Sequence, residues 1–596
     1  MRNTLKNSTV SRYLVTTADE RTWNFDGPIL FLGEWCRLYC RKEQWATMNA
    51  IVASPYGLVK ENKDKDYAYV IKSYEELLVE LCDVLNEYHK TDHNLRYWRI
   101  VLGHWLMRYT SLIFNRWFTL KQALHNYEIS GTTIFDASSY SLATPDSVSF
   151  LLACDDDVWN HVLYAKILSQ FDNISLETEI KTLGGMSGFK VKSESVISKG
   201  QQFKFFILKK VFGIFRLFSR DTDGFIINTY LSKKEEMKLE IMFGQVPQLS
   251  KAPTVESIKT NHALRKRLAL NASNQQGYDQ FVRVMLMEIL PTCYLEGYQT
   301  LTQKAQAIPW PENPKFIFTS NNFDTDEIFK VWAGSKVEQG VPYIIGQHGN
   351  NYGTARYCIS EMECVATSDK FITWGWTAGD PKHTPAFIFK TVGKKRLEIN
   401  KNGGLLLIEV TGPHRIQTWD SYSEFQNYLD EQFQFVNTLP KPIHDKLIVR
   451  LHFAYNKFSF FEEMRWRDIS PATRLELGNE SIWKLIARSR LVVHSYDSTG
   501  ILETLSMNIP TICFWRGGLD HLRPEAKPFY ELLRNAGILQ DTPEAAAEKV
   551  AAVWDDVPGW WKSQKVQEAR VRFCNRYARI EKNPLRTLKA ILLVNS

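Results

Sequence analysis

The chain has 596 residues, 44% of them hydrophobic and 23% charged, which is typical of soluble globular proteins with at least two sizeable domains. The formal net charge of +7 is too small for a chain of this length to indicate nucleic-acid binding, although it suits anionic surfaces and phosphate-bearing substrates. Nine scattered cysteines without metal-ligand spacing, and an N-terminus without an apolar run, predict reduced thiols in the cytoplasm.

An early strand is predicted at 28–33, and polar residues follow it directly. Glu34 and Arg37 come after the end of this strand. Because the carboxyl ends of strands form the rim of an α/β cleft, these two residues are candidates for the acceptor side of a site.

Long helical patterns follow at 73–90 and 94–125, and the second is so rich in aromatic residues that we expect it to be largely buried. From about 130 to 310 the hydrophobic alternation is weak. We therefore expect a helical elaboration of the N-terminal domain over about 70–310, which shapes an acceptor site.

A basic and apolar segment lies at 199–220, where six basic residues interleave with large apolar ones and no acidic residue occurs. Such a segment can lie in a membrane interface. The alternative is a core helix with a basic exposed face.

From residue 315 onward the chain alternates between short apolar runs and helical stretches. This pattern is typical of parallel sheets covered on both faces. A polar linker near 398–404 divides the chain into an N-terminal domain, 1–397, and a C-terminal domain, 398–596, whose tail after 565 forms a closing helix. The predicted strands are 315–320, 343–346, 370–374, 404–410, 446–452, 490–494 and 509–515.

The segment 491–515 reads as a buried strand, a loop of small hydroxyl residues, a helix and a second buried strand. Free backbone N–H groups, hydroxyls and the positive end of a helix dipole together suit a phosphate. The alternative is an ordinary strand–loop–helix unit in which Ser498 caps the helix. The candidate donor-binding residues here are His494, Ser495, Ser498, Thr499, Gly500 and Glu503.

A second constellation stands upstream, at the ends of two strands. Asp324, Asp326 and Glu327 follow the first strand, and His348 follows the next one, so carboxylates and an imidazole are predicted on one rim. The alternative for the acids is helix capping and solvated surface. Beside the imidazole, Gln347, Gly349 and Asn350 are further candidates, because glycine permits the close approach of a ligand.

Basic residues also follow two strands of the C-terminal domain. His414 and Arg415 come after the strand at 404–410, and Arg450 and His452 end the strand at 446–452. Together with a helix N-terminus they would suit the phosphate of a nucleotide sugar. Either arginine could equally pair with a structural acid.

Two of these motifs carry a family resemblance. Gln347-His348-Gly349, and the segment 494–503 followed by Ile509-Pro-Thr, resemble bacterial surface-polysaccharide transferases. The nearest group comprises the capsule and O-antigen Kdo transferases and the pseudaminyl and other nonulosonate transferases. A more distant likeness is to teichoic-acid glycerophosphotransferases.

The resemblance implies an α/β fold of GT-B type, with two Rossmann-like domains facing a cleft and a CMP-activated donor held by the C-terminal domain. It implies that residues 498–500 hold the phosphate, that Glu503 binds the ribose, and that an aspartate, Asp324 or Asp326, is the nucleophile of a retaining transfer. His452 resembles the family's His-Pro motif, but Phe453 replaces the proline and leaves the role of His452 open.

The expected partners are a nucleotide sugar and a glycan or glycolipid acceptor, with membrane contact through 199–220 and no nucleic acid. No cofactor and no metal are required, although the form of Asp324-Thr-Asp326 leaves Mg²⁺ as a lesser alternative. Two other functions stay open: a CDP-polyol phosphotransferase, and a non-catalytic component of polysaccharide export at the inner membrane.

Overall fold

The protein is built on three parallel β-sheets. In the computed structural model the described residues are 10–171, 177–190, 220–248, 253–268, 270, 275–398, 400–411, 425–458, 460–515 and 517–593. The sheets have five, five and six strands and lie in the N-terminal, central and C-terminal parts of the chain. The α/β class and the parallel sheets are confirmed, and there is one sheet more than the two that were expected.

The N-terminal sheet contains strands from a region in which only helices were expected. Its strand order is β3-β2-β1-β4-β5. The strands are β1 (Arg12–Val15), β2 (Ile29–Phe31), β3 (Ala50–Val52), β4 (Ile129–Asp136) and β5 (Glu177–Thr182). Strand β4 escaped prediction because it is rich in polar residues, yet its buried Thr132 hydroxyl is satisfied by donating to the Leu14 carbonyl at 2.9 Å. The expectation that 130–310 is helical is therefore wrong for β4, β5 and the strand at 225–227.

A helical layer covers this sheet, and its two long helices are those that the sequence predicts. The helices are α1 (Lys42–Trp45), α2 (Lys60–His89), α3 (Leu95–Asn126), α4 (Ser147–Ala153) and α5 (Asp157–Leu168). Helix α3 begins where the Asn94 side chain accepts from the Tyr97 N–H, and it is buried along most of its length, as expected. It packs against α2 and against helices of the central sheet, so it connects the two layers.

The central sheet supplies the rim on which Asp324 and His348 lie. Its strand order is β10-β9-β8-β7-β6. The strands are β6 (Phe225–Ile227), β7 (Ile317–Thr319), β8 (Tyr343–Gly346), β9 (Lys370–Thr373) and β10 (His383–Pro385). The helices in this part of the chain are α6 (Lys233–Met242), α7 (His262–Arg267), α8 (Tyr278–Ile289), α9 (Tyr298–Ala307), α10 (Asn322–Thr325), α11 (Glu327–Glu338) and α12 (Ile359–Thr367).

The C-terminal sheet is doubly wound, with strand order β13-β12-β11-β14-β15-β16. The strands are β11 (Gly404–Ile408), β12 (Leu447–Arg450), β13 (Arg474–Glu476), β14 (Ser489–His494), β15 (Thr511–Phe514) and β16 (Leu539–Gln540). The order reverses between β11 and β14, and ligands of open α/β sheets bind outside the carboxyl ends of strands at such a point. All seven predicted strands from 315 to 515 are confirmed.

The C-terminal helices close this domain and then return to the central sheet. The helices are α13 (Phe425–Thr438), α14 (Lys441–His444), α15 (Glu462–Ile469), α16 (Ile482–Arg488), α17 (Thr499–Ser506), α18 (Lys527–Asn535), α19 (Pro543–Val553), α20 (Val557–Lys562), α21 (Gln564–Tyr577) and α22 (Pro584–Leu593). In α22, Leu588 and Leu592 are buried in one cluster with Phe316 and Phe318 of the central sheet. The domain boundary expected near residue 398 falls between β10 and β11. Helix α22 follows this boundary in the chain, yet it packs against the central sheet, which precedes it.

The described helices contain no stretch with both the length and the apolar character that crossing a bilayer requires. Of the basic and apolar segment 199–220, only the last residue belongs to the described part of the chain. The membrane-contact prediction for this segment therefore concerns residues outside the described ones.

Candidate active site

The carboxyl edges of the central and C-terminal sheets meet at Asn350. This residue follows β8, and its backbone N–H donates to the Oγ1 of Thr499, after β14, at 2.9 Å. Its side-chain Nδ2 donates to the Oδ1 of Asp497 at 2.7 Å. The two predicted constellations therefore flank one junction.

Asp497 anchors this junction and was not among the predicted residues. Its carboxylate also accepts from the Tyr530 hydroxyl at 2.9 Å and lies 3.1 Å from the His521 Nε2. Partners from three separate segments fix this side chain. No sequence spacing signals these contacts, because Tyr530 lies on α18 and His521 in the loop after β15.

Two backbone hydrogen bonds hold the two domains together beside the junction. The Arg356 N–H donates to the His521 carbonyl at 2.8 Å, and the Arg523 N–H donates to the Thr354 carbonyl at 2.8 Å. Arg523 also forms an ion pair of 2.8 Å with Glu361. These contacts fix the position of the central sheet against the C-terminal sheet.

The N-terminus of α17 opens at this junction. The Ser498 side chain accepts from the Ile501 N–H at 3.3 Å, so Ser498 is the helix cap that the alternative interpretation described. The Thr499 hydroxyl is occupied by Asn350. What α17 offers to an anion is therefore the N–H groups of its first turn, which have no partners within the helix, and its dipole.

Glu503, one turn into α17, is already engaged by a cation from the other domain. Its Oε2 accepts from the Lys394 Nζ at 3.1 Å, and the same ammonium lies 3.6 Å from the ring centroid of Trp483. Burial lowers the pKa of Lys394, and the neighbouring carboxylate opposes this effect. Lys394 was missed by sequence analysis because it lies in an irregular segment after β10.

His494 and Ser495 lie beneath the loop and not on its surface. His494 is 1% exposed, and burial lowers its pKa to about 3. A Cβ on Gly500 would lie 2.6 Å from the His494 Cε1, so the ring occupies the space directly below α17. The Ser495 Oγ lies 2.8 Å from the Tyr428 hydroxyl. Both residues therefore support the loop and leave no surface for a ligand.

Of the basic residues after β11 and β12, Arg450 and His452 have structural partners. Arg450 forms an ion pair of 3.2 Å with Glu476. The alternative in which an arginine pairs with a structural acid therefore applies to Arg450. The His452 Nδ1 accepts from the Ala454 N–H at 3.2 Å, and burial lowers the pKa of His452. His414 and Arg415 lie outside the described residues.

On the central rim, His348 is held as a neutral imidazole. The Tyr352 hydroxyl lies 3.0 Å from its Nδ1, and burial lowers its pKa to about 4. The preceding Gln347 is buried and has an internal role, since its Oε1 accepts from the N–H groups of Trp374 and Trp376, each at 2.9 Å. It fixes the turn that carries Gly349 and Asn350.

The three acids near this rim have different environments. Asp324 forms an ion pair of 2.5 Å with Arg108 of α3; burial alone would raise the pKa of Asp324, but the guanidinium lowers it overall. Asp326 caps α11 by accepting from the Phe329 N–H at 3.0 Å, and burial raises its pKa. The alternative interpretation of the acids, in which they cap a helix, therefore applies to Asp326.

Glu327 lies inside the protein, at 3% exposure, and forms an ion pair of 2.7 Å with Lys330. It also accepts from the Ser147 N–H at 3.0 Å. The carboxylate is therefore enclosed by structural partners, and its catalytic role stays a prediction. Asp324, a quarter exposed and close enough to influence His348 electrostatically, is the acid that the rim presents.

Glu34 and Arg37 pair with each other through the Arg37 Nε, 3.1 Å from the Glu34 Oε2. The neighbouring Tyr39 touches the C-terminal domain, since its hydroxyl donates to Asp468 at 3.0 Å and Arg465 lies over its ring at 4.3 Å. The rim of the N-terminal sheet therefore also borders the C-terminal domain, and the acceptor role of Glu34 and Arg37 stays a prediction.

Within the described ranges, no group of three or more His, Cys, Asp or Glu side chains is arranged to hold a metal ion. Asp324 and Asp326, the alternative Mg²⁺ pair, are engaged by Arg108 and by the first turn of α11 respectively. Mg²⁺ binding by this pair stays a prediction. Two cavities, of about 290 and 480 Å³, lie away from the junction, beside Arg96 and beside Phe25.

Comparison with known proteins identifies the family. A family model described as LIC12162 family transferase matches residues 12–592 and so spans all three sheets. The chain belongs to the LIC12162 family of transferases. No protein of curated function matches this transferase.

Several solved structures are similar to parts of this chain at low identity. S. aureus MnaA in a co-structure with UDP is 14% identical, with a TM-score of 0.32, covering 51% of this chain and 84% of that one. Acinetobacter baumannii MurG is 11% identical, with a TM-score of 0.29, covering 50% and 79%. The spinosyn rhamnosyltransferase SpnG, complexed with spinosyn aglycone, is 8% identical, with a TM-score of 0.28, covering 77% and 99%. The fold is defined by the three parallel sheets described above.

Proposed function

We propose that this LIC12162 family transferase moves a nonulosonic acid or Kdo from a CMP-activated donor to a capsule or surface-glycan acceptor, with retention. One observation carries the proposal. The contacts of Asn350 with Thr499 and Asp497 hold the rim that bears Asp324 and His348 against the first turn of α17. A nucleotide bound at one edge would thus present its sugar to the other edge.

The first turn of α17 suits the donor phosphate. The Ile501 N–H is capped by Ser498, but the other N–H groups at the start of the helix and the positive end of its dipole stabilise negative charge, which grows on the phosphate as the sugar leaves. Glu503 faces the same junction and would accept from the ribose hydroxyls, with Lys394 holding the carboxylate in place. Donor binding would therefore use backbone groups more than the hydroxyls of Ser498 and Thr499.

Asp324 suits the role of nucleophile. Arg108 keeps it ionised, and a quarter of its side chain is exposed, whereas Asp326 is occupied as a cap. Its carboxylate would attack C2 of the sugar as the bond from C2 to the phosphate oxygen breaks, and CMP would leave with that electron pair. An acceptor hydroxyl would then attack C2, lose its proton to a base and displace Asp324. Two inversions give net retention.

His348 would assist the transfer by binding the sugar and would not act as the principal base. Its pKa of about 4 makes the imidazole neutral at physiological pH, and Tyr352 fixes its orientation. A neutral, fixed imidazole is suited to a hydrogen bond with the sugar.

A thermal-shift screen tests the function, because a ligand that binds the folded state raises the melting temperature. The panel comprises CMP, CMP-Kdo, CMP-N-acetylneuraminate, CDP-glycerol and UDP-N-acetylglucosamine. We expect stabilisation by CMP and by at least one CMP-activated acid, followed by CMP release with a glycan acceptor. Stabilisation by CDP-glycerol alone would favour the polyol-phosphotransferase alternative. A protein that binds none of them but floats with anionic liposomes would support the non-catalytic alternative.

A further inference from the structure

After β10 the chain crosses the carboxyl edge of the central sheet and places two lysines there. Phe389 anchors this crossing segment: it is fully buried, with its ring 6.2 Å from that of Phe318. Together with the Ser320 hydroxyl it fills the space in which a side chain on Gly346 would lie. Lys390 and Lys394 therefore project from a fixed backbone at the ends of β7 and β8.

The two lysines differ in their partners. Lys394 is neutralised by Glu503, as described above. Lys390 is half-buried and has no acidic partner among the described residues, and its Nζ lies 4.6 Å from the ring centroid of Tyr230. A half-buried ammonium without a carboxylate partner leaves three donors for another anion.

Tyr230 is held in a strained backbone conformation beside His348. Its φ of 65° lies in the left-handed region, and its ring centroid is 5.5 Å from that of His348. The preceding Thr229 is fixed through both its N–H and its hydroxyl, which donate to Glu236 at 3.0 and 2.9 Å. Within the described ranges the Tyr230 hydroxyl makes no hydrogen bond. Strained residues held by their surroundings in this way cluster at functional sites.

The neighbouring charges do not cancel that of Lys390. Asp324 is paired with Arg108 across 2.5 Å, and Glu327 is paired with Lys330 across 2.7 Å. His348 carries no charge at neutral pH, because burial lowers its pKa to about 4. Among the described residues, the rim around Tyr230 therefore has one excess positive charge, contributed by Lys390.

We propose that Lys390 and the Tyr230 hydroxyl form an anion subsite that binds the carboxylate of an acidic donor sugar. This inference rests on the proposed function. In a 2-keto acid sugar the carboxylate is bonded to the anomeric carbon, so it must lie beside the nucleophile. Tyr230 is close to the candidate nucleophile: burial is the main cause of its raised pKa, and the negative charge of Asp324 raises that pKa further. The donor phosphate is the other source of such an anion, but the first turn of α17 already accounts for it. Lys390 would thus select acidic over neutral sugars.

Binding measurements on the full chain test the subsite. The dissociation constants of CMP, CMP-Kdo and CMP-N-acetylneuraminate are measured for wild type, Lys390→Met, Lys390→Arg and Tyr230→Phe. Lys395→Met is the matched control, because Lys395 is exposed in the same segment. We expect Lys390→Met to weaken the CMP-activated acid that binds wild type by roughly tenfold or more, the scale of a lost hydrogen bond to a charged group, and to leave CMP affinity unchanged. Lys390→Arg should restore most of the affinity, and Tyr230→Phe should have a smaller effect than Lys390→Met.

Equal weakening of CMP and of the CMP-activated acid would assign the anion to the phosphate and overturn the proposal. An unchanged affinity for both ligands would overturn it as well. A separate readout needs no nucleotide: acetylation of Lys390, followed by mass spectrometry, with and without free Kdo. Protection of Lys390 by Kdo but not by Kdo methyl ester would support the subsite, even if the protein binds no cytidine nucleotide. Failure to bind any cytidine nucleotide would contradict the proposed donor but not the subsite. Absence of protection would count against the subsite.

Discussion

Asn350 and Thr499 stand 149 residues apart in the chain, yet the backbone N–H of the first donates to the hydroxyl of the second at 2.9 Å. This hydrogen bond joins the edge that carries the candidate nucleophile to the edge that suits the phosphate. Because Asn350 is 7% exposed, its N–H has little access to water if the acceptor is removed. The hydroxyl at 499 is therefore a structural requirement of the junction.

Thr499→Val should loosen this junction. It removes the acceptor while keeping the shape of the side chain, and the unsatisfied N–H should cost about 1–2 kcal/mol. Hydrogen exchange in peptides around 346–356 should be faster, and the melting temperature should fall. Thr499→Ser, which keeps the hydroxyl, is the control. Equal exchange in the two variants would show that the hydrogen bond contributes nothing.

Substitution of Ser498 separates capping from phosphate binding. Asp and Asn are both good helix caps of nearly equal size, but only Asp adds a negative charge. Ser498→Asp should therefore bind CMP roughly tenfold more weakly than Ser498→Asn, with similar melting temperatures, because the carboxylate repels the phosphate. Titration calorimetry measures the difference. Equal affinities would place the phosphate elsewhere.

Asp324→Asn should reduce CMP release from the donor by roughly three orders of magnitude or more while leaving CMP affinity intact. The expectation follows from the loss of an ionised nucleophile beside Arg108. Asp326→Asn is the matched control, because Asn can also cap α11. Comparable turnover of both variants would remove the covalent mechanism.

Gly500→Ala should destabilise the C-terminal domain. An added Cβ would lie 2.6 Å from the Cε1 of the buried His494. Because the His494 ring is buried and cannot move aside, the overlap should cost about 2–3 kcal/mol, which exceeds the roughly 1 kcal/mol of helix propensity that Ala gains over Gly. Gly27→Ala, whose Cβ would meet nothing within 4 Å, is the control. Thermal unfolding distinguishes the two variants.

His494→Gln should change how stability depends on pH. The pKa of His494 is about 3 in the folded state, far below its ordinary value of 6.5, because the ring is buried. Below pH 6.5 the unfolded chain binds a proton that the folded protein does not. Wild type should then lose about 1.4 kcal/mol of stability per pH unit from this group as the pH falls towards 3, and lose nothing from it above 6.5.

The difference in unfolding free energy between wild type and His494→Gln should consequently shrink by about 2 kcal/mol from pH 7 to pH 5. Denaturant unfolding at both pH values measures it, and all other titrating groups cancel in the difference. A constant difference would show that the His494 ring binds a proton equally well in the folded and unfolded states, which contradicts a pKa lowered by burial.

Local patterns in the sequence were sufficient to predict much of the C-terminal half of the fold. Short apolar runs from 315 to 515 became buried parallel strands, because a strand covered on both faces excludes polar residues. Ser498 predicted the start of α17, because a capping oxygen satisfies an N–H that the helix itself leaves free. Both signals lie within a few residues of the structure they specify.

The features that depend on residues distant in the chain were decided only by the tertiary structure. Strand β4 is polar and was missed, because its threonines find hydrogen bonds only in the assembled sheet. Asp324, Asp326 and Glu327 look equivalent in sequence, but an arginine from α3, a helix cap and a buried lysine give them three different roles. Lys390 and Tyr230 have no local signature at all. Charge pairing and burial depend on which segments meet, and only the packed chain fixes that.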